Sequence, residues 1–361
     1  MSVKKKNIVI IIWKQLSPHI ISKMFLKVLQ KYFEIHIIDI SENKKNNFNF
    51  TKLLKAKNIY SIKLYKLDKI KKKLEEINPI FIVPYFIENF TFNYFKLFKL
   101  LKHTKIPLVK FLEPVYERKL SLLRLKIKNI LNFNKIHYDV GVFQASASSS
   151  LYANFKFDKK LYSHHHDLER SKFIKSTNNK KKYFVFLDEN LAMHPDKNIL
   201  KNKQWVSKKK YYNDVRTFLI FLKKIYNVDI YVAAHPTTTK NYFNEFKLIK
   251  NKSAKLIKSC SLAIVHQSTS TNFPIIYKKK IIFITTDEIN QTHLGPTIKG
   301  LAKYLNTKPI NLSKNYDLKL IKNRITNVSK YNKFIDNFIK HPQCLQNDIG
   351  LLLKDNFKKN Y

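Results

Sequence analysis

Two rhythms of apolar and polar positions alternate along the chain. Short unbroken apolar runs predict buried β-strands, and longer stretches with apolar residues every three or four positions predict helices. NIVIIIW (7–13) is the first such strand. SPHIISKMFLKVLQKYF (17–33) follows, opening with a Ser cap and a Pro at the first helical position before helical spacing sets in. EIHIIDI (34–40) predicts a strand, LDKIKKKLEEI (67–77) a helix and NPIFIVPYF (78–86) a strand. NYFKLFKLLKH (93–103) returns to helical spacing, and IPLVKFLE (106–113) and YDVGVFQ (138–144) are further strands.

The rhythm breaks at DLERSKFIKSTNNKKK (167–182), a polar and basic stretch that predicts an inter-domain linker. It then resumes. KYFVFLDE (182–189) predicts a strand, YYNDVRTFLIFLKKIY (211–226) a helix with a broad apolar face, and VDIYVAA (228–234) a strand. SAKLIKSC (253–260) is a short helix, SLAIVH (261–266) a strand, STNFPIIYKK (270–279) a helix start and KIIFITT (280–286) a strand. NKFIDNFIK (332–340) begins a last helical section. Strands alternating with helices imply right-handed βαβ units and parallel sheets. The expected architecture is α/β, with two Rossmann-like domains facing across a cleft. An acceptor-side domain is expected at 1–166, a nucleotide-sugar-binding domain at 183–311 and a helical section at 312–361. Ligands of open α/β sheets bind at the carboxyl ends of the strands.

Composition removes several function classes. Only 4 glycines are present, so neither a G-x-G-x-x-G turn nor a P-loop exists, and dinucleotide oxidoreductases and P-loop kinases are poor candidates. Net charge is +44, from 69 Lys and Arg against 25 Asp and Glu. Such a balance ordinarily points to a polyanionic partner. The basic residues are spread along the whole chain, however, amid abundant Asn, Ile, Phe and Tyr, and drift on solvated faces toward residues with AT-rich codons explains them equally well. No zinc-finger spacing, RNP-like motif or helix-turn-helix is evident, so nucleic acid is not the expected partner. Peripheral contact with an anionic membrane remains in view, each Lys or Arg near such a surface contributing about 1 kcal/mol. Cys260 and Cys344 stand far apart, without partners at metal spacing, which suits a reducing compartment. The first apolar run is too short to span a bilayer. The expected location is cytoplasmic, peripheral on the inner membrane face.

The chemistry concentrates after the strands of the second half. Asp188-Glu189-Asn190 follows YFVFL, with MHPD (193–196) close behind; His235-Pro236 follows VDIYVAA; HQSTST runs from His266 to Thr271; TTDE runs from Thr285 to Glu288. Each has a bland reading as a cap, a turn or a strand end. In a parallel sheet, however, all four line one rim. There, Asp188 or Glu189 suits a general base, and His235 a phosphate-binding imidazole able to protonate a leaving phosphate. Ser268, Thr269 and Ser270 suit a hydroxyl-rich helix start that binds anions. His266, Pro236, Asp287 and Glu288 complete the expected donor side.

The order FLDE…HPD, AAHP, LIKSCSLAIVHQSTSTNFPIIYKKKIIFIT resembles bacterial surface-polysaccharide glycosyltransferases of the GT-B sialyltransferase-like and Kdo-transferase-like group. The resemblance covers about residues 182–290. It implies transfer of a sialic-acid-like or Kdo-like sugar from a CMP-activated donor to a glycan or lipid-linked glycan, in lipopolysaccharide O-antigen or capsule synthesis. It further implies Asp188 or Glu189 as base, His235 on the donor phosphate, and Ser268 and Thr269 gripping that phosphate. Asn190 departs from the pattern, standing where glycine often closes the acidic motif, and His194-Pro195 offers a second His-Pro pair. A CMP donor leaves as a monophosphate, no D-x-D motif is evident, and no metal or other cofactor is expected.

YSHHHDLE (162–169) holds three consecutive histidines. On a strand, alternate side chains point to opposite faces, so His164 and His166 would share one face; an inter-domain position near the acceptor is preferred over a metal site, and a plain strand-to-linker segment over both. Glu88, Glu113, Glu117, His164, His166 and His194 are the acceptor-side candidates. Two rival functions remain. A teichoic-acid-type CDP-polyol phosphotransferase also uses a Ser pair, usually after Asp-Tyr, where this chain has His266-Gln267. A non-catalytic basic protein binding nucleic acid or membrane would need none of the ordered clusters.

Overall fold

The computed structural model describes residues 5–12, 18–40, 58–64, 66–85, 92–114, 137–148, 155–175, 182–193, 205–316, 321 and 326–358. The chain divides into two compact units, Met1–Glu169 with Asp336–Tyr361, and Arg170–Ile335.

The first unit is built on β1 (Lys6–Ile12), a strand buried on both sides because its apolar run is continuous. Ile8, Ile10 and Ile12 face one core, and Val9 and Ile11 the other. Around it stand β2 (Phe33–Asp39), β3 (Ile59–Lys63) and β4 (Ile82–Tyr85), in the order β3-β2-β1-β4. The strands β5 (Val109–Leu112), β6 (His137–Phe143) and β7 (Lys156–Tyr162) follow in that order. A parallel bridge from Ile82 to Leu108 joins the two sets, so all these strands run parallel. From β3 to β6 the order is that of a classic dinucleotide-binding sheet.

The second unit repeats the plan. Its strands are β8 (Tyr183–Leu187), β9 (Asp229–Ala234), β10 (Lys247–Lys250), β11 (Leu262–Val265), β12 (Lys280–Thr285) and β13 (Ile310–Asn311). They lie in the order β10-β9-β8-β11-β12-β13, all parallel. The order reverses between β8 and β11, the switch point at which open α/β sheets leave a crevice. Helix Lys208–Tyr226 covers this sheet with Tyr211, Val215, Phe218 and Leu222, a stripe at helical spacing, and ends on Asn227 in the left-handed conformation.

Several expected elements differ in the structure. The single helix expected over 17–33 is two pieces, Pro18–Lys23 and Leu26–Leu29. Phe25 separates them with φ 54°, its ring buried 5.7 Å from that of Phe111. The linker expected at 167–182 opens instead as helix His166–Lys172, and the units part at Glu169. The expected C-terminal section at 312–361 is divided, because residues 336–361 return to the first unit. Helix Ile349–Lys358 supplies Ile349, Leu353 and Phe357 to that core, with Phe357 stacked on Phe81 at 4.6 Å. Each such side chain stabilises by about 1.5–3 kcal/mol on burial. Gly350 permits the approach, since a Cβ there would lie 2.4 Å from Tyr32 Cδ2.

Candidate active site

The chain leaves β8 through Asp188, Glu189 and Asn190, which are 5%, 9% and 3% exposed. The tight turn comes from Asn190 at φ 51°, with its backbone N–H donating to Asp188 Oδ1 at 2.9 Å. Asparagine tolerates this left-handed conformation better than other non-glycine residues. The position where the resembled motif carries glycine is therefore one whose backbone asks for it.

The two carboxylates are held from opposite sides. Thr238 Oγ1, beyond β9, donates to Asp188 Oδ2 at 3.5 Å. The N–H of Gln267, beyond β11, donates to Glu189 Oε1 at 2.6 Å, across the switch point. Burial raises Asp188 to about 6, partly opposed by the Asn190 and Thr238 donors. Burial also raises Glu189 to about 8, with the negative neighbour Asp188 adding to it and the Gln267 donor opposing. Near neutral pH the pair is thus split into a carboxylate at Asp188 and a carboxylic acid at Glu189.

Glu189 holds its proton more tightly folded than unfolded. Its contribution to stability is full below about pH 4.5 and is lost as pH rises through about 8. Glu189→Gln, which mimics the protonated form, is expected to match wild-type Tm at low pH and to exceed it by a growing margin up to about pH 8.5. Thermal unfolding across that range checks this; a constant difference would contradict the raised value.

His235 stands directly after β9, half-exposed, with its carbonyl accepting from Thr238 N at 3.0 Å. Pro236 takes the second place of this turn, which its fixed φ favours. Tyr212 Oη donates to Asn190 Oδ1 at 3.1 Å, and Asn190 Nδ2 to Thr237 Oγ1 at 3.4 Å. Thr237 Oγ1 lies 2.7 Å from His235 Nδ1, and the Thr237 N–H also reaches that nitrogen at 3.3 Å. This network assigns Nδ1 as acceptor and Nε2 as the protonated nitrogen. Thr237, Thr238 and Tyr212 thereby tie the histidine to the acidic turn.

After β11, Ser268 Oγ accepts from Ser270 N at 3.1 Å, and Ser268 N donates to Thr271 Oγ1 at 3.2 Å. These bonds shape a single turn, Thr269–Thr271, ahead of the short helix Asn272–Ile276. Thr269 is described here only through its backbone. Beside the turn, Gln267 Oε1 is buried with no hydrogen-bond partner among the described residues, an acceptor without a sequence signal.

Other expected donor residues do not join this group. His266 is 1% exposed, its Nδ1–H donating to Ile284 O at 2.9 Å and its Nε2 accepting from Tyr211 Oη at 3.0 Å. Burial lowers it to about 4, so it is a neutral wall residue and not a phosphate ligand. Asp287 accepts from Asn311 Nδ2 at 2.6 Å, and Glu288 accepts from Ser207 N at 3.0 Å, just ahead of helix Lys208–Tyr226. Each carboxylate thus holds a scaffold contact.

In the first unit, Glu113 pairs with Lys23 at 2.6 Å. His164 and His166 are buried beside Glu169 and Asp167, 3.1 and 3.6 Å away. Glu88, Glu117 and His194 lie outside the described residues. Among the described residues, no helix is long and apolar enough to cross a membrane.

No protein-family model matches the chain, and no curated protein matches it. Solved structures do. UDP-GlcNAc 2-epimerase from Methanocaldococcus jannaschii aligns at 13% identity and TM-score 0.56, covering 99% of this chain and 100% of that one. A Listeria monocytogenes protein assigned as a UDP-N-acetylglucosamine 2-epimerase aligns at 11% identity and TM-score 0.57, covering 99% and 98%. Phytolacca americana UGT2, complexed with UDP-2fluoro-glucose and pterostilbene, aligns at 10% identity and TM-score 0.55, covering 99% and 100%. At such identities the likeness establishes the fold, two Rossmann-like domains of the GT-B type.

Proposed function

We propose that the chain is a GT-B glycosyltransferase of cell-surface glycan synthesis. It transfers a sialic-acid-like or Kdo-like sugar from a CMP-activated donor to a glycan or lipid-linked glycan. The observation that carries this reading is the hydrogen bond from Gln267 to Glu189 across the switch point, with Asp188 and His235 on adjoining strand ends. Asp188, ionised near neutral pH, takes the proton of the acceptor hydroxyl. The acceptor oxygen bonds to the anomeric carbon as the bond from that carbon to the phosphate oxygen breaks. CMP leaves with the electron pair as its phosphate dianion, and the His235 Nε2–H donates a hydrogen bond to the phosphate oxygen on which that charge develops. The Ser268 turn and the Gln267 carbonyl offer further polar contacts to the nucleotide.

A second reading keeps the site and changes the donor. The structural neighbours carry UDP-sugars in their names, which favours a UDP-linked donor and admits epimerisation at the same acid–base pair. Incubation with CMP-, UDP- and GDP-sugars separates the two. The first reading expects slow hydrolysis of CMP-sugars and thermal stabilisation by CMP. Response to UDP- or GDP-sugars alone would overturn the donor assignment.

A further inference from the structure

The histidine run 164–166 does not behave as a strand. Ser163 to His165 pairs antiparallel with Ile339 to His341, His165 N donating to Ile339 O at 2.6 Å and His341 N to Ser163 O at 3.0 Å. A helix then begins at His166. The alternation of faces ends there, and consecutive side chains turn toward one another. His165 and His166 pack with ring centroids 3.9 Å apart, and both they and Asp167 are buried. Their ligand-type atoms lie within 4.8 Å of one another.

The separations are those of co-ligands. His165 Nδ1 lies 3.4 Å from Asp167 Oδ2, and His166 Nε2 lies 3.6 Å from Asp167 Oδ1. Zinc-class bonds of about 2.0–2.2 Å at tetrahedral angles put two ligand atoms roughly 3.3–3.5 Å apart. A hydrogen bond between them would normally be shorter. The Asp167 N–H also donates to His165 Nδ1 at 3.2 Å. That contact marks the nitrogen as unprotonated, the form in which an imidazole binds a metal, and a bound ion would replace the amide donor there. We propose that His165, His166 and Asp167 bind a divalent transition-metal ion of the zinc class, with a fourth position left to a further ligand. Two imidazoles and a carboxylate suit such an ion better than Mg²⁺ or Ca²⁺, which prefer oxygen. The ion would fasten the start of helix His166–Lys172 to the segment paired with 339–341. This inference is independent of the glycosyltransferase reading.

Cobalt reports it without an activity assay. The full chain, dialysed against chelator, is titrated with Co²⁺ and then Zn²⁺. Expected are one tightly held ion per chain, visible bands of tetrahedral cobalt, displacement by Zn²⁺ and a metal-dependent rise in Tm. Asp167→Asn and His166→Ala should each weaken binding by more than the roughly 10–100-fold typical of outer-shell changes. His137→Ala, at an exposed ion pair with Asp158, should not. If a variant fails to fold, the wild-type spectrum and stoichiometry still decide. Absence of a retained ion in the wild type, or cobalt binding that survives both ligand substitutions, would overturn the site.

Discussion

His235→Ala is expected to reduce sugar transfer roughly 10²–10³-fold, the usual cost of removing one positioned hydrogen-bond donor from a developing oxyanion. The fold should survive. His235 is half-exposed at a strand end, so Tm should reflect a loss within about 1 kcal/mol. Thr237→Ala makes a graded companion: it removes the hydroxyl on Nδ1 but leaves the imidazole, so its loss should be smaller than that of His235→Ala. Steady-state kinetics beside a melting curve checks both. Full activity in His235→Ala would shift the phosphate-binding role to His194, the second His-Pro histidine.

Asp188→Asn should cost a similar factor, and it carries a pH signature as well. In the wild type, kcat/KM should climb about tenfold per pH unit on the acid side and level off near the Asp188 value of about 6. Activity requires the deprotonated form, so the limb rises with pH; in Asp188→Asn it should vanish from the residual rate. An acid limb centred near 8 would instead assign the base to Glu189. The split between the two carboxylates arises because each is buried while only one proton is readily lost from the pair.

The central strands were legible in the sequence, and the edges were not. β1, β8, β11 and β12 are continuous apolar runs because both their faces are covered. The strands without an apolar signal, β3, β7, β10 and β13, all stand at a sheet edge. β7, reading KFDKKLY, is mostly exposed, as an edge protected by lysines should be. Helix Lys208–Tyr226 begins three residues before its apolar pattern because Lys208, Lys209 and Lys210 face solvent. The return of helix Ile349–Lys358 to the first unit depends on contacts with Phe81 and Tyr32, hundreds of residues away in sequence, which no local periodicity reports.

The candidate site divides the same way. Acidic and imidazole groups after buried strands point to a rim, and Asp188, Glu189 and His235 stand there. Which polar residues face a ligand is a matter of partners. His266 looked equivalent to His235, yet Tyr211 and the Ile284 carbonyl take both its nitrogens. Asp287 and Glu288 looked like donor contacts, yet they serve Asn311 and Ser207. Thr237 and Thr238 carry no sequence signal of their own, yet they hold the histidine and the aspartate. The histidine run misled because strand alternation was assumed through His166, where a helix starts.

A crystal structure with CMP tests most directly the proposed nucleotide site at the carboxyl edge of the second unit's sheet. The phosphate is expected within hydrogen-bond reach of His235 Nε2 and the Ser268 turn, with Asp188 beside the place the sugar would take. CMP bound instead at the β1–β4 switch point of the first unit, or absent when soaked at millimolar concentration, would contradict it.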